Sequence, residues 1–272
     1  MRYFRLGLLG CMLASFGWTV PAAAQSSAAS SAAIPLAIVP APSTPRAPGP
    51  KIFIADARGQ LATVDSGNGA IAIRGFLKEG ATTRVLDDIA FCPDGTLFGI
   101  RRNTPRALYA INPNSAPPAL TSRGLHNITE LNALVCNADG VLFAHTAAFT
   151  RLYRLNKANG SAVLVGNTGS EKSDGDLSFH ENGLFLTTLD NQLAKLNKTS
   201  GAVLSVRLHN ITDMFGLVSL GVNQLYGFAG TKMYLFTENA GGPTGATMVR
   251  FDFTGRGLVR INGASFNGNF QR

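Results

Sequence analysis

The chain has 272 residues, 45% of them hydrophobic, with 24 Lys and Arg against 16 Asp and Glu, giving a formal charge of +8. That apolar content excludes a wholly disordered chain, and the modest positive surplus excludes a dedicated nucleic-acid binder. No apolar run beyond the first two dozen residues could span a bilayer.

The chain opens on "MRYFRLGLLGCMLASFGWTVPAAAQ": Arg2 and Arg5, a short apolar run, then Ala22-Ala23-Ala24. This is the pattern of a secretory signal peptide cut after Ala24. Its loss removes two arginines and no acid, leaving a formal charge of +6 and two cysteines, Cys92 and Cys136. An exported protein, secreted or periplasmic, is expected, with no transmembrane segment in the mature chain. Residues 25–50 are rich in Ser, Ala and Pro. They cannot bury enough apolar surface to offset their ordering entropy, so they read as a disordered linker. The folded domain is expected over 51–272.

That domain is a repeat. "DIAFCPDGTLFGI" from Asp88, "NALVCNADGVLFAH" from Asn132, "DLSFHENGLFLTT" from Asp176 and "GLVSLGVNQLYGF" from Gly216 begin 44, 44 and 40 residues apart. The first three join two apolar runs through an Asp-Gly or Asn-Gly corner, and the fourth shares the same plan, as β-hairpins do. The segments "ALYAINPNSAPPALTS", "RLYRLNKANGSAVLVG" and "QLAKLNKTSGAVLSVR" then supply a third and a fourth strand. Four strands in about 44 residues without helical periodicity describe one blade of a β-propeller. Residues 51–75 hold three strands without a first, and "GASFNGNF" from Gly263 resembles the missing one. The expected fold is therefore all-β, a propeller of five four-stranded blades closed by the C-terminal strand. The long segment 231–253 leaves a sixth blade as the alternative.

At this level the chain resembles the broad group of secreted bacterial β-propeller repeat proteins, on "ALYAIN", "RLYRLN" and the Asp-Gly turns. The resemblance implies a binding or scaffolding module. Some members of the group are lactonases or quinoprotein enzymes, but no catalytic motif of theirs is matched and no catalytic residue carries over.

"LHNIT" occurs at 125–129 and again at 208–212, 83 residues apart, with Glu130 and Asp213 directly after the two copies. That interval is two blade periods, so duplication accounts for it better than a histidine pair. The loops sharing its face carry Arg101, Arg102, Arg106, Arg123, Arg151 and Arg207, the candidate ligand-binding residues. Guanidinium groups collected there suit phosphate, carboxylate or sulfate. An anionic small molecule, polymer or protein partner is expected, and no specific nucleic acid.

Residues opening the first strands, Asp88, Asn132, Asp176, Gly216 and Gly263, are expected to ring the axis. Asp88, Asn132 and Asp176 could hold Ca²⁺ or another divalent cation through oxygen ligands, or could cap strand starts by bonding backbone amides. No cofactor is the first expectation. A metal-assisted hydrolase or lactonase is the alternative function, with His126 or His209 as general base. His145 and His180 fall at strand ends and read as structural. Cys92 and Cys136 look like equivalent positions on neighbouring blades, which would set their Cα atoms too far apart for a disulfide; the pairing stays open, with separate thiols favoured.

Overall fold

Alternating apolar residues broken by Gly- and Asn-containing corners leave the chain nothing but short strands to form. The computed structural model describes residues 46–181 and 183–268. The expected signal peptide and all of the linker up to residue 45 lie outside them. Every regular element among the described residues is a strand.

Blade 1 begins with β1 (Lys51–Asp56), β2 (Gln60–Asp65) and β3 (Ile71–Phe76); a two-residue pair, β4 (Lys78–Glu79) and β5 (Thr82–Thr83), comes next. Blade 2 is β6 (Asp88–Phe91), β7 (Leu97–Ile100), β8 (Ala107–Asn112) and β9 (Ala119–Leu125). Blade 3 is β10 (Leu131–Cys136), β11 (Leu142–Thr146), β12 (Arg151–Leu155) and β13 (Ala162–Asn167). Blade 4 is β14 (Ser173–His180), β15 (Gly183–Thr188), β16 (Gln192–Leu196) and β17 (Val203–Leu208). Blade 5 is β18 (Met214–Ser219), β19 (Leu225–Ala229), β20 (Lys232–Asn239) and β21 (Gly242–Asp252). The last strand, β22 (Ile261–Phe266), pairs antiparallel with β1, Ile52 facing Phe266 and Ile54 facing Ala264.

Five sheets result, as the repeat predicts, and the C-terminal strand completes the first of them. The described residues hold no sixth blade. The long segment is an extended hairpin, β20 and β21, of 8 and 11 residues. In blade 2 the sheet grows to six strands because β4 lies parallel to β9 and adds β5 outside it.

Burial tracks strand order. The inner strands β6 and β14 are buried along their whole length, whereas the outer strands β3, β9 and β17 expose most residues. Between blades the inward side chains interleave; Phe143 meets Phe179 edge-on at 5.7 Å.

The described residues begin at Arg46, slightly ahead of the expected domain boundary at Lys51. Asp65 takes the amides of Gly49, Gly67 and Asn68 on one oxygen and the Lys51 ammonium, at 2.7 Å, on the other. Burial works against this carboxylate, yet those donors hold it well below its usual range.

Cys92 and Cys136 form a disulfide with Cα atoms 5.1 Å apart, which corrects the expectation of separate thiols. The hairpin registers give the reason. Phe91 pairs with Leu97 and Cys136 with Leu142, while the amides of Cys92 and Asn137 each close the next turn. Cys136 therefore matches Phe91, not Cys92. The two sulfurs stand on staggered positions, and the stagger brings them within bridging distance.

Candidate functional site at the propeller axis

A first strand has a neighbour on only one side, so its inner edge turns unpaired N–H groups toward the axis, where they need acceptors. Asp88 and Asp176 supply them. Asp88 accepts from the amide of Ile89 at 2.7 Å and from Leu134 on the next blade at 2.6 Å. Asp176 accepts from Leu177 at 2.6 Å and from Leu217 on the next blade at 2.6 Å. The two carboxyl groups also hydrogen-bond each other. Burial, and for Asp88 the neighbouring charge of Asp176, push both well above the usual carboxylate range.

By register, this tier comprises Asp88, Ala133, Asp176, Gly216 and Gly263. Small residues make room for the two acids; a Cβ on Gly263 would stand 2.3 Å from Asp88 Oδ1. Asn132 does not belong to this ring, contrary to the sequence reading. Asp88 pairs with Ile100 and Ala133 with His145 across hairpins of equal length, so Ala133 is the counterpart of Asp88 and Asn132 falls one tier nearer the crossover face. The proposed trio Asp88, Asn132 and Asp176 is thus split between two tiers, and the two aspartates bond backbone amides.

The outer tier forms the axial mouth. Asp87, Arg102, Asn132, Asp174, Gly175, Phe215, Arg260 and Asn262 surround a hollow of about 20 Å³, and every blade contributes. Room for about one water is implied. The Arg102 amide and guanidinium both bind Asp87, at 2.8 and 3.0 Å, and the guanidinium also reaches Glu130 at 3.5 Å. Asp174 accepts the Met214 amide at 2.8 Å, and burial lifts it to about 6. Burial also raises Asp87. Arg260 lies over the Phe215 ring, 4.6 Å from its centroid, and donates to Asn262 at 3.2 Å. Asn132 donates its amide to the Asp174 carbonyl at 3.1 Å, while its buried Oδ1 has no partner among the described residues.

The remaining predicted residues are scattered over the crossover face and the outer strands. Arg101 donates to the Thr104 carbonyl at 2.7 Å, and Arg106 sits in the same loop with a buried, unpartnered Nε. Arg151 stacks on Phe149 at 5.5 Å on blade 3. Arg123 and Arg207 are exposed on the outer strands β9 and β17. Of the six, only Arg102 lines the mouth. Phe215 is among the aromatic residues, with Phe149 and Tyr234, that the sequence offers as a platform for a ligand; Arg260, directly before the closing strand, was missed.

His126 and His209 are buried and do the same local work. Each Nδ1 accepts an amide two residues on, from Ile128 and Ile211, both at 3.2 Å. His126 Nε2 donates to the Arg101 carbonyl at 3.1 Å; His209 Nε2 is buried with no hydrogen-bond partner among the described residues. Burial lowers both to about 4, so both rings are neutral at pH 7. Asn127, Glu130, Asn210 and Asp213 all take positive φ, between 55° and 59°. The duplicated motif specifies the path of a crossover. His145, buried in β11, is likewise lowered to about 4 by burial.

No sequence-family model matches the chain, and no curated protein matches it. Solved structures do. A chain from the crystal structure of a nidogen–laminin complex superposes with a TM-score of 0.54 at 10% identity, covering 81% of this chain and 99% of that one. A protein of unknown function from Bacteroides caccae gives 0.46 at 11% identity over 83% of this chain and all of its own. Streptogramin B lyase gives 0.46 at 13% identity over 77% and 70%. The class is that of β-propellers, here with five blades. Among the described residues no helix is long and apolar enough to cross a membrane.

Proposed function

We propose that this is an exported, non-catalytic binding or scaffolding module whose ligand sits over the axial mouth on the crossover face. One observation carries the reading: the mouth is the place where polar and aromatic side chains from all five blades converge. A hollow of about 20 Å³ admits no ligand beyond a water. The partner therefore rests on the rim, as a polymer or a protein surface would. The nidogen–laminin structure is that of a complex, and a partner-binding use of the same architecture agrees with this reading.

An anionic partner fits best. Among the described residues Arg260 has no carboxylate within ion-pair distance, and Arg101 of the neighbouring loop gives its guanidinium only to a backbone carbonyl. Sulfate or carboxylate groups would complete both. The test is retention of the full chain on dextran sulfate against neutral dextran, at low and high salt. Retention of the parent protein on the sulfated polymer alone, weakening with salt, is expected. Arg260→Gln should weaken it about tenfold, the size of one charge-assisted hydrogen bond. Equal retention on both polymers, or loss on Arg207→Gln but not Arg260→Gln, would overturn the mouth as the anionic site.

A further inference from the structure

On the opposite face, where the hairpin turns lie, blades 4 and 5 bring together three groups from separate stretches of chain. His180 closes β14, Glu181 comes directly after it with a φ of 47°, and Glu238 comes from the long hairpin of blade 5. The bulge between Phe236 and Glu238 changes the register there. One ligand atom from each residue lies within 4.8 Å of the others.

The His180 ring is fully buried and the Glu238 side chain is 2% exposed. Nδ1 of His180 meets Ser219 Oγ at 2.9 Å, which fixes the ring, and Nε2 meets Glu238 Oε2 at 2.9 Å. Glu238 Oε1 is buried and has no hydrogen-bond partner among the described residues. A hydrogen-bonded histidine and carboxylate alone would leave that oxygen desolvated without a compensating donor. A cavity of about 340 Å³, lined by His180, Glu181, Phe185, Lys195 and residues 240–243, adjoins the other two groups of the cluster and opens to solvent.

We propose that His180, Glu181 and Glu238 form a binding site for a divalent first-row transition ion of the Zn²⁺ type. One imidazole nitrogen and two carboxylates are ligands such ions take. Three protein ligands leave a fourth position, toward the cavity, for water or a ligand. Ser219 is the outer partner that orients the imidazole. Tetrahedral ligands about a zinc ion stand roughly 3.3 Å apart, given bonds of about 2.0–2.1 Å, so closing the site needs only a side-chain adjustment of Glu181. The site is independent of the axial mouth and of its anionic partner.

The test is calorimetric titration of the full chain, carrying no histidine tag and freed of metal by chelator, with ZnCl₂. The expected result is one ion per chain with a dissociation constant below about 10 µM (a binding free energy near −7 kcal/mol), and a raised melting temperature. Glu181→Gln removes a partly exposed ligand and keeps the fold; together with Glu238→Gln it should weaken binding at least about tenfold. Asp190→Asn, remote from the cluster, should change nothing. Co²⁺ should give the visible absorption of a site with nitrogen and oxygen donors. No stoichiometric binding, or binding unaffected by Glu181→Gln, would overturn the proposal.

Discussion

Asp174 titrates in a window that stability measurements can reach. Its folded value of about 6 lies above the ordinary aspartate value near 4. Between those limits the folded chain holds a proton that the unfolded chain has released, so this group's contribution to stability falls as pH rises from about 4 to 6. Asp174→Asn keeps an acceptor for the Met214 amide and removes the charge. Urea midpoints at pH 4, 5, 6 and 7 should therefore fall less for the variant than for the parent. At the axis, Asp88→Ala strips the acceptor from the Ile89 and Leu134 amides. With each stranded amide costing about 1–3 kcal/mol, a loss of roughly 2–6 kcal/mol is expected in denaturant unfolding. The importance of Asp88 and Asp176 was legible from their repeat position; their pairing with each other was not, because it depends on which tiers the glycines vacate. Arg260 escaped notice because its chemistry depends on Phe215, 45 residues earlier in the chain.

Hairpins were the most legible elements. Asp-Gly and Asn-Gly corners locate most of the turns between first and second strands, and the alternation of apolar residues places β8, β12 and β16 in register. Bulges were not legible, since an extra residue leaves the apolar pattern nearly intact while rotating every residue beyond it. A bulge in β20 hid Glu238. The repeats read as 44 residues apart, whereas the registers of blades 2 and 3 match at 45, Asp88 with Ala133 and Phe91 with Cys136. That one-residue offset misplaced Asn132 and hid the stagger of the cysteines, and with it the disulfide. That bridge closes a loop between residues 44 apart, for which chain entropy gives about 4 kcal/mol. Replacing both cysteines by serine should lower unfolding free energy by about 2–4 kcal/mol, and dithiothreitol should reproduce the shift in the parent but not in the variant.

Closure was readable at the scale of the whole molecule because blade 1 lacked a strand and the C-terminus supplied one. Its pairing joins Ile52 to Phe266, so blade 1 is incomplete until the last residues arrive. A chain ending at residue 260 should expose the edge of β1 and lose Ile261 and Ala264 from the core it shares with blade 5. Light scattering and the loss of a single cooperative unfolding transition would register this. The carboxyl pair on the axis has a further consequence. Above it lies the mouth, below it a small cavity of about 30 Å³ lined by first strands of all five blades, and the buried acids stand between them. Nothing entering from the crossover side passes through to the side of the turns. Within the described residues the bore is stopped at the two acids, so the mouth and the turn-side cavity are separate spaces.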